Sequence, residues 1–350
     1  MANLTDLIRG MLLEEAILYL LRKSGYSVLF SIDPKDETLT PHSAGIAVVG
    51  RGAEHQIDAI ADYKYQAPFT HPQRLLLEAK AYTPPNSVGL PILRSTLGVA
   101  VDVQQFWKTC GLPHTPSSRY HYQHAIVSTS GFSPEAERFG FAHDIYMIPV
   151  GNSGFLRDLV NEMFAVTHEA MGMDPNIREP GRIQNARKFV RSELYPGETA
   201  FNGGLVESRT RAYKTALDKF LTETKRLDTG LLAMLPGNVP IFLVPNSNPR
   251  IREMALQSQE VRIYYNLDDD LGGKILNARD EELFTFDLPT EIVKMLLAES
   301  TDTGGDAPQT KKERLHRISI FYVDQDSNSL RTIELSLDKD WLKSIEHREE

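Results

Sequence analysis

The chain has 350 residues, 41% hydrophobic and 24% charged, which fits a globular protein with room for two domains. Its single cysteine, Cys110, excludes an internal disulfide and points to a reducing cytoplasm; Arg9, Glu14 and Glu15 break the N-terminal apolar run, so no signal peptide is expected. The net charge of −9 argues against a uniformly phosphate-binding surface, but residues 1–150 carry only 12 Lys/Arg against 14 Asp/Glu and residues 151–235 carry 12 against 11, so the acidity sits in 236–350, with 14 against 22.

Residues 4–23 have helical periodicity, with Leu7, Met11, Glu14, Leu18 and Leu21 on one face. A carboxylate on an apolar stripe needs a partner, which makes Glu14 a better functional candidate than Glu15. Gly25 ends the helix. YSVLFSI at 26–32 reads as a strand, Asp33–Ser43 with its two prolines as a loop, and Ala44–Gly50 as a short apolar strand. Two further strand runs follow, His55–Lys64 and Leu75–Tyr82. Alternation puts Leu75, Leu77, Ala79 and Ala81 on one face of the second run and Leu76, Glu78, Lys80 and Tyr82 on the other. If the two strands are neighbours, Asp58, Glu78 and Lys80 converge. Two carboxylates beside one lysine suit a hard divalent ion, since Mg²⁺ takes one or two carboxylates plus substrate phosphate. The connection from Tyr63 to Arg74 is expected to pass over this face.

After Pro84-Pro85-Asn86, Ile92–Thr109 reads as a helix with Gln104 and Gln105 as polar members of its second half. His121–Ser128 is a strand that puts His121 and His124 on opposite faces, where they make poor co-ligands. Ser133-Pro134 has the signature of a helix start, leading a helix near Pro134–Phe141, and Ile145–Val150 supplies another strand. Ser128, Ser130 and Ser133 do not form a Gly-x-Ser-x-Gly elbow.

The arrangement Asp58…Glu78-Ala79-Lys80 resembles the PD-(D/E)xK nuclease superfamily. With Leu13-Glu14, Gly25-Tyr26 and AIVSTSGFSPEA at 125–136 around it, it resembles the Mrr-type restriction endonucleases in particular. The resemblance covers about the first 150 residues. It implies a restriction-endonuclease-like mixed sheet flanked by helices, within an α/β fold class, and a Mg²⁺-dependent endodeoxyribonuclease for which Mn²⁺ is an alternative ion. In its terms Asp58, Glu78 and the Ala79 carbonyl hold the metal, Lys80 positions the attacking water, and Glu14 reaches the metal site directly or through water. It further implies restriction or phage defence, with 5′-phosphate and 3′-hydroxyl products. Alternatives are a repair or junction-resolving nuclease, and a nuclease-like fold used only for nucleic-acid binding or ligand sensing. A second Glu-x-Lys, Glu223-Thr224-Lys225, lies in a helical run where residues two apart do not share a face, so it is a decoy.

Beyond residue 150 the pattern is a helical, net-basic segment (151–230) and then an acidic α+β domain (231–350). Helices are expected at 155–173, Arg182–Glu193 and Ser208–Arg226. Residues 178–226 hold 11 basic and 6 acidic residues, and Arg187, Lys188 and Arg191 are the candidate DNA-phosphate contacts. Strands are expected at Val239–Val244 and Val261–Asn266, a helix at Pro289–Glu299, a linker at Ser300–Gln309, and a hairpin of Arg317–Val323 with Leu330–Leu335. Residues 229–248 lack charge, but Pro236, Gly237 and Pro240 break the run, so no membrane span is expected there. The expected partners are DNA and a second copy of the chain, because duplex cutting uses one site per strand and symmetric dimers are the commonest oligomers. The C-terminal domain is expected to take a protein or small-ligand partner.

Overall fold

In a computed structural model, the structure describes residues 3–42, 45–66, 68–106, 119–151, 156–177, 181–198, 201, 207–227, 230–236, 239–246, 259–265, 273–286, 288, 293–294, 308–324 and 329–346. Contacts divide the chain into two compact units, one of Met1–Gly151 with Arg157–Asp228 and the other of Asn152–Leu156 with Thr229–Glu350.

The first unit is built on helix α1 (Leu4–Lys23), which starts where the Asn3 side chain accepts a hydrogen bond from the Thr5 N–H at 3.2 Å. It stops at Ser24, before Gly25 at φ +89°, a conformation open to glycine. Strands β1 (Tyr26–Val28), β5 (Ala59–Tyr63) and β6 (Gln73–Lys80) pack against one side of α1, and helices α4 (Arg157–Ala165) and α5 (Arg182–Leu194) against others. The helix is therefore buried over most of its circumference, and no single apolar stripe describes it. Leu12, Leu13, Glu15 and Ala16 are buried, whereas Leu7, on the expected stripe, is half exposed. Helix α6 (Glu207–Arg226) packs on α4 and α5, so the helical segment after residue 150 folds as part of the first unit.

The main sheet runs β1-β5-β6-β7-β8, with β7 at His121–Ser128 and β8 at Ile145–Pro149. β5 runs antiparallel to both of its neighbours, β1 and β6, while β6, β7 and β8 are parallel. The parallel pairs are joined by crossovers containing α2 (Leu90–Gln105) and α3 (Pro134–Ala142). The result is a mixed sheet flanked by helices. β6 lies at its centre, and Arg74 through Leu77 are buried on both faces. A second small sheet holds β2 (Leu39–His42), β3 (Gly45–Val49) and β4 (Glu54–Gln56). The expected loop at 33–43 thus ends in an edge strand, where Pro41 is tolerated because β2 pairs only with β3. The expected strand at 26–32 is cut to three residues, and the expected helix at 155–173 ends at Ala165 in a series of turns.

The second unit closes its strands into a barrel in the order β10-β13-β12-β11-β15-β14-β9. Its ranges are β9 (Leu231–Leu235), β10 (Val239–Pro245), β11 (Gln259–Tyr265), β12 (Gly273–Asn277), β13 (Glu282–Phe286), β14 (Arg317–Asp324) and β15 (Ser329–Leu337), with α7 (Pro308–Arg314) and α8 (Lys339–Glu346). Alternate residues such as Ile241, Leu243, Ile263, Ile275, Ile320, Ile333 and Leu335 fill the interior. A Cβ on Gly273 would stand 2.4 Å from the Phe286 ring, so glycine lets β12 and β13 close there. The β14–β15 hairpin forms as expected. Of the expected helix at 289–299 only Val293 and Lys294 are described, and residues 300–307 of the expected linker lie outside the described residues.

Candidate active site

The expected strand at 55–64 is two strands in two sheets: the chain leaves β4 at Gln56 and enters β5 at Ala59. Asp58 sits in the crossing between them. The register Ala59↔Leu77 brings it opposite Glu78, and its Oδ2 accepts a hydrogen bond from the Ala79 N–H at 2.9 Å. Alternation along β6 puts Glu78 and Lys80 on one face, where the Lys80 ammonium meets Glu78 Oε2 at 2.9 Å. The Lys80 carbonyl accepts from the Thr129 N–H at 3.1 Å on the β7 side. The neighbouring Ala79 peptide groups, which alternate with it, therefore face the Asp58 side. Asp58, Glu78, Ala79 and Lys80 thus meet at one end of β5 and β6.

Glu14 joins this group electrostatically from α1. Its carboxylate receives the Arg187 guanidinium of α5 at 2.5 Å, and its side chain is only 15% exposed. Burial pushes its pKa up to about 7; Arg187 opposes this, and the Asp58 charge adds to it. Asp58 is raised as well, by burial first, with the Ala79 N–H and Lys80 opposing and Glu78 adding. Burial depresses Lys80, but Glu78 and then Asp58 outweigh it and hold its pKa above the ordinary lysine value.

This donor set is hard and oxygen-rich. Among the described residues no three His, Cys, Asp or Glu side chains are placed to share one ion. Two carboxylates and a peptide carbonyl nevertheless suit an ion that keeps several waters and takes its other ligands from a phosphate. The residues therefore fit Mg²⁺ or Mn²⁺ as a partly hydrated ion.

Arg187, Lys188 and Arg191 do not form the common phosphate-facing patch expected of them. Arg187 and Arg191 are four apart and share a face of α5, and that face turns onto α1. Arg191 grips Glu15 with two hydrogen bonds, 2.9 and 2.8 Å, and lies 4.5 Å over the Phe30 ring. Glu15 is fully buried and also lies 3.4 Å from Arg187. The partner requirement assigned to Glu14 thus applies most strictly to its neighbour. Lys188 is half-buried and has no ion pair among the described residues. The signal for this arrangement was an adjacent Glu pair in an apolar helix and an Arg pair at i,i+4 in a later one.

Other expectations resolve individually. The β5–β6 connection leaves from the Asp62–Arg74 end of the strands, opposite to Asp58, so it does not cover the site. Arg74 is buried there, held by Asp62, Asp36 and Thr38 and lying 3.7 Å over Tyr120. Gln104 accepts from the Tyr122 N–H at 3.4 Å and Gln105 from Arg51 at 3.1 Å, both away from Glu78. Asp102 on the same helix binds the Gly52 and Ala53 N–H groups and His55, pinning the β3–β4 turn. His121 is exposed and His124 buried, its pKa pushed down to about 4 by burial. Ser128 donates to the Gly131 carbonyl, and Ser133 caps α3. The decoy lies in α6, where buried Thr224 donates to the Phe220 carbonyl and Glu223 pairs with Arg226.

No family model matches the chain, and no curated protein matches it. Among solved structures, the protein of unknown function AF1548 aligns over 62% of this chain and 97% of its own, at 17% identity and a TM-score of 0.30. No helix among the described residues is long and apolar enough to cross a membrane.

Proposed function

We propose that the protein is a divalent-metal-dependent endodeoxyribonuclease of the PD-(D/E)xK kind, acting in restriction or phage defence. The observation that carries this reading is the meeting of Asp58 with Glu78-Ala79-Lys80, through the Ala79 N–H bond to Asp58 and the Lys80–Glu78 pair. Asp58, Glu78 and the Ala79 carbonyl would hold Mg²⁺ or Mn²⁺. When bound, the ion supplies charge against the phosphate oxygens and lowers the pKa of water.

The chain's own groups do the rest. Lys80 stays charged because Glu78 and Asp58 favour its ammonium form. It orients the attacking water and offsets charge growing on the phosphate. The water oxygen bonds to phosphorus as the bond to the 3′-oxygen breaks, leaving a 5′-phosphate and a 3′-hydroxyl. Glu14, on the α1 side, orders water in the same space. DNA is the substrate, and a symmetric pair of chains cuts the two strands. Restriction or phage defence follows from the Mrr-type motif context.

The test is cleavage of plasmid DNA by the purified protein with Mg²⁺. EDTA, Asp58→Ala, Glu78→Ala and Lys80→Ala should each abolish cutting while leaving the fold intact, and Lys225→Ala should leave the chemical step alone. Cutting by Lys80→Ala at the original rate would sink the assignment.

A further inference from the structure

The region bearing the nuclease resemblance ends near residue 150, yet the carboxylates of α1 are neutralised from beyond it. Arg187 on α5 reaches Glu14 at 2.5 Å and Glu15 at 3.4 Å. Its neighbour Arg191 already holds both oxygens of Glu15, so Arg187 is committed chiefly to Glu14. Its side chain is 22% exposed, which leaves its charge poorly screened. α5 carries Arg187 onto α1, and α1 in turn packs on β5 and β6, the strands whose pairing brings Asp58 opposite Glu78; in keeping with this, Arg187 favours the ionised form of Asp58. Arg191 is not among the main influences on Glu14 or Asp58.

We propose that Arg187 is the resident counter-cation of the metal site: it holds Glu14 beside Asp58 and competes electrostatically with the incoming divalent ion. The inference rests on the metal-site reading above. It makes Arg187 a positioning residue with two opposed effects. It keeps an anion where the reaction uses one, and it lowers the affinity for the ion by adding like charge nearby. A site with Arg187 binds its metal more weakly than the same site without it, and Mg²⁺ then enters most readily with a phosphate that brings further negative charge. Arg191 has the same chemistry on the same helix face but a purely structural station at Glu15.

The test is Mn²⁺ binding to the full chain without DNA, read by the loss of the free-ion electron paramagnetic resonance signal. Removing Arg187 alone would also change the ionisation of Glu14, so the comparison starts from Glu14→Gln, where that carboxylate is already neutral. Adding Arg187→Met to Glu14→Gln should tighten Mn²⁺ binding by about tenfold, the sign expected when a like charge is removed from beside an ion. Adding Arg187→Lys, which keeps the charge, should leave affinity within about twofold of Glu14→Gln. Adding Lys188→Met, a charge lost from the same helix but away from the carboxylates, should also leave it unchanged. The Gln/Met pair leaves no orphaned buried charge, because Glu15 keeps Arg191. A second measurement uses the unmutated protein: Mg²⁺ should move the Arg187 Nε resonance and leave that of Arg191 in place. Equal Mn²⁺ affinity with and without Arg187 overturns the inference, as does the same tightening from Lys188→Met. Absence of Mn²⁺ binding in the unmutated protein overturns the metal-site reading itself, and this inference with it.

Discussion

Replacing Arg191 with Met gives the most demanding test of how the first unit is held together. Glu15 is fully buried in α1, and Arg191 supplies its two short hydrogen bonds. Without them the carboxylate retains only Arg187 at 3.4 Å, which is already engaged by Glu14 at 2.5 Å. Removing one partner of a buried ion pair costs about 3–5 kcal/mol because the other charge is left uncompensated. Loss of the stacking on Phe30 and Phe201 adds to this, and the remaining contact to Arg187 subtracts, so about 3 kcal/mol is expected. That is roughly a hundredfold in the folding equilibrium, a large share of the 5–15 kcal/mol typical of a domain. Urea unfolding should show a lower midpoint with little change in slope, and hydrogen exchange should accelerate in peptides from α1 and α5. Glu15→Met with Arg191→Met should recover most of the loss, since an apolar pair replaces the ionic one. A single variant within about 1 kcal/mol of the parent, or a double variant as unstable as the single, would refute the account. A phosphate contact would behave differently, with stability kept and the salt dependence of DNA affinity reduced by about 0.9.

The folded-state pKa of Glu14, about 7 against its usual 4.5, means the native state binds the extra proton between those values. Its contribution to stability is full below pH 4.5 and is lost as pH rises through 7, a loss of about 3 kcal/mol in all. Urea midpoints at acid and alkaline pH should show Glu14→Gln losing correspondingly less stability on alkalinisation; parallel curves would rule this out. A fragment of residues 1–228 should fold cooperatively, whereas 1–150 should not, because the latter lacks the helices that cover α1 and the arginines that neutralise Glu14 and Glu15. Circular dichroism with thermal melting distinguishes the two, and a cooperative melt of 1–150 would contradict the packing described. The proposed dimer should appear in sedimentation equilibrium on duplex DNA; a monomer free and bound, producing nicks only, would remove it.

Local signals located much of the first unit. The strand at His121–Ser128 matches its boundaries because a β-rich run follows a polar stretch and ends in Ser-Gly turn chemistry, and Ser133-Pro134 opens α3 as its capping chemistry dictates. Asp58, Glu78 and Lys80 were legible as a set because strand alternation and one antiparallel pairing suffice to gather them. Two kinds of feature were not. The break at Ile57-Asp58 has no glycine or proline to mark it; it exists because β4 pairs with β3 and β5 pairs with β6, a decision made by distant partners. The closure of the second unit into a barrel likewise depends on β10 meeting β13 and β11 meeting β15, pairings between strands far apart in the chain. The basic helix misled for a related reason. Charge composition shows that cations are present, while only packing shows that two of them face inward.

The same topology explains why the candidate site lies where it does. Lys80 and Ser128 are at the carboxyl ends of the parallel strands β6 and β7, the edge of an α/β sheet where strand ends leave room for a ligand. β5 runs the other way, so its first residues, and Asp58 just before them, arrive at that same edge. A parallel β5 would have carried Asp58 to the opposite end, towards Arg74. Because Asp58 precedes β5, its carboxylate is free to take the Ala79 N–H instead of packing within the sheet. The gathering is unfavourable in the isolated protein: Glu14 and Asp58 both have raised pKa values, with burial as the leading cause in each. Burial of each carboxylate is therefore a cost that its contacts within the protein have to offset. Lys80 and Arg187 offset the cost only in part, and the proposed divalent ion would offset the remainder.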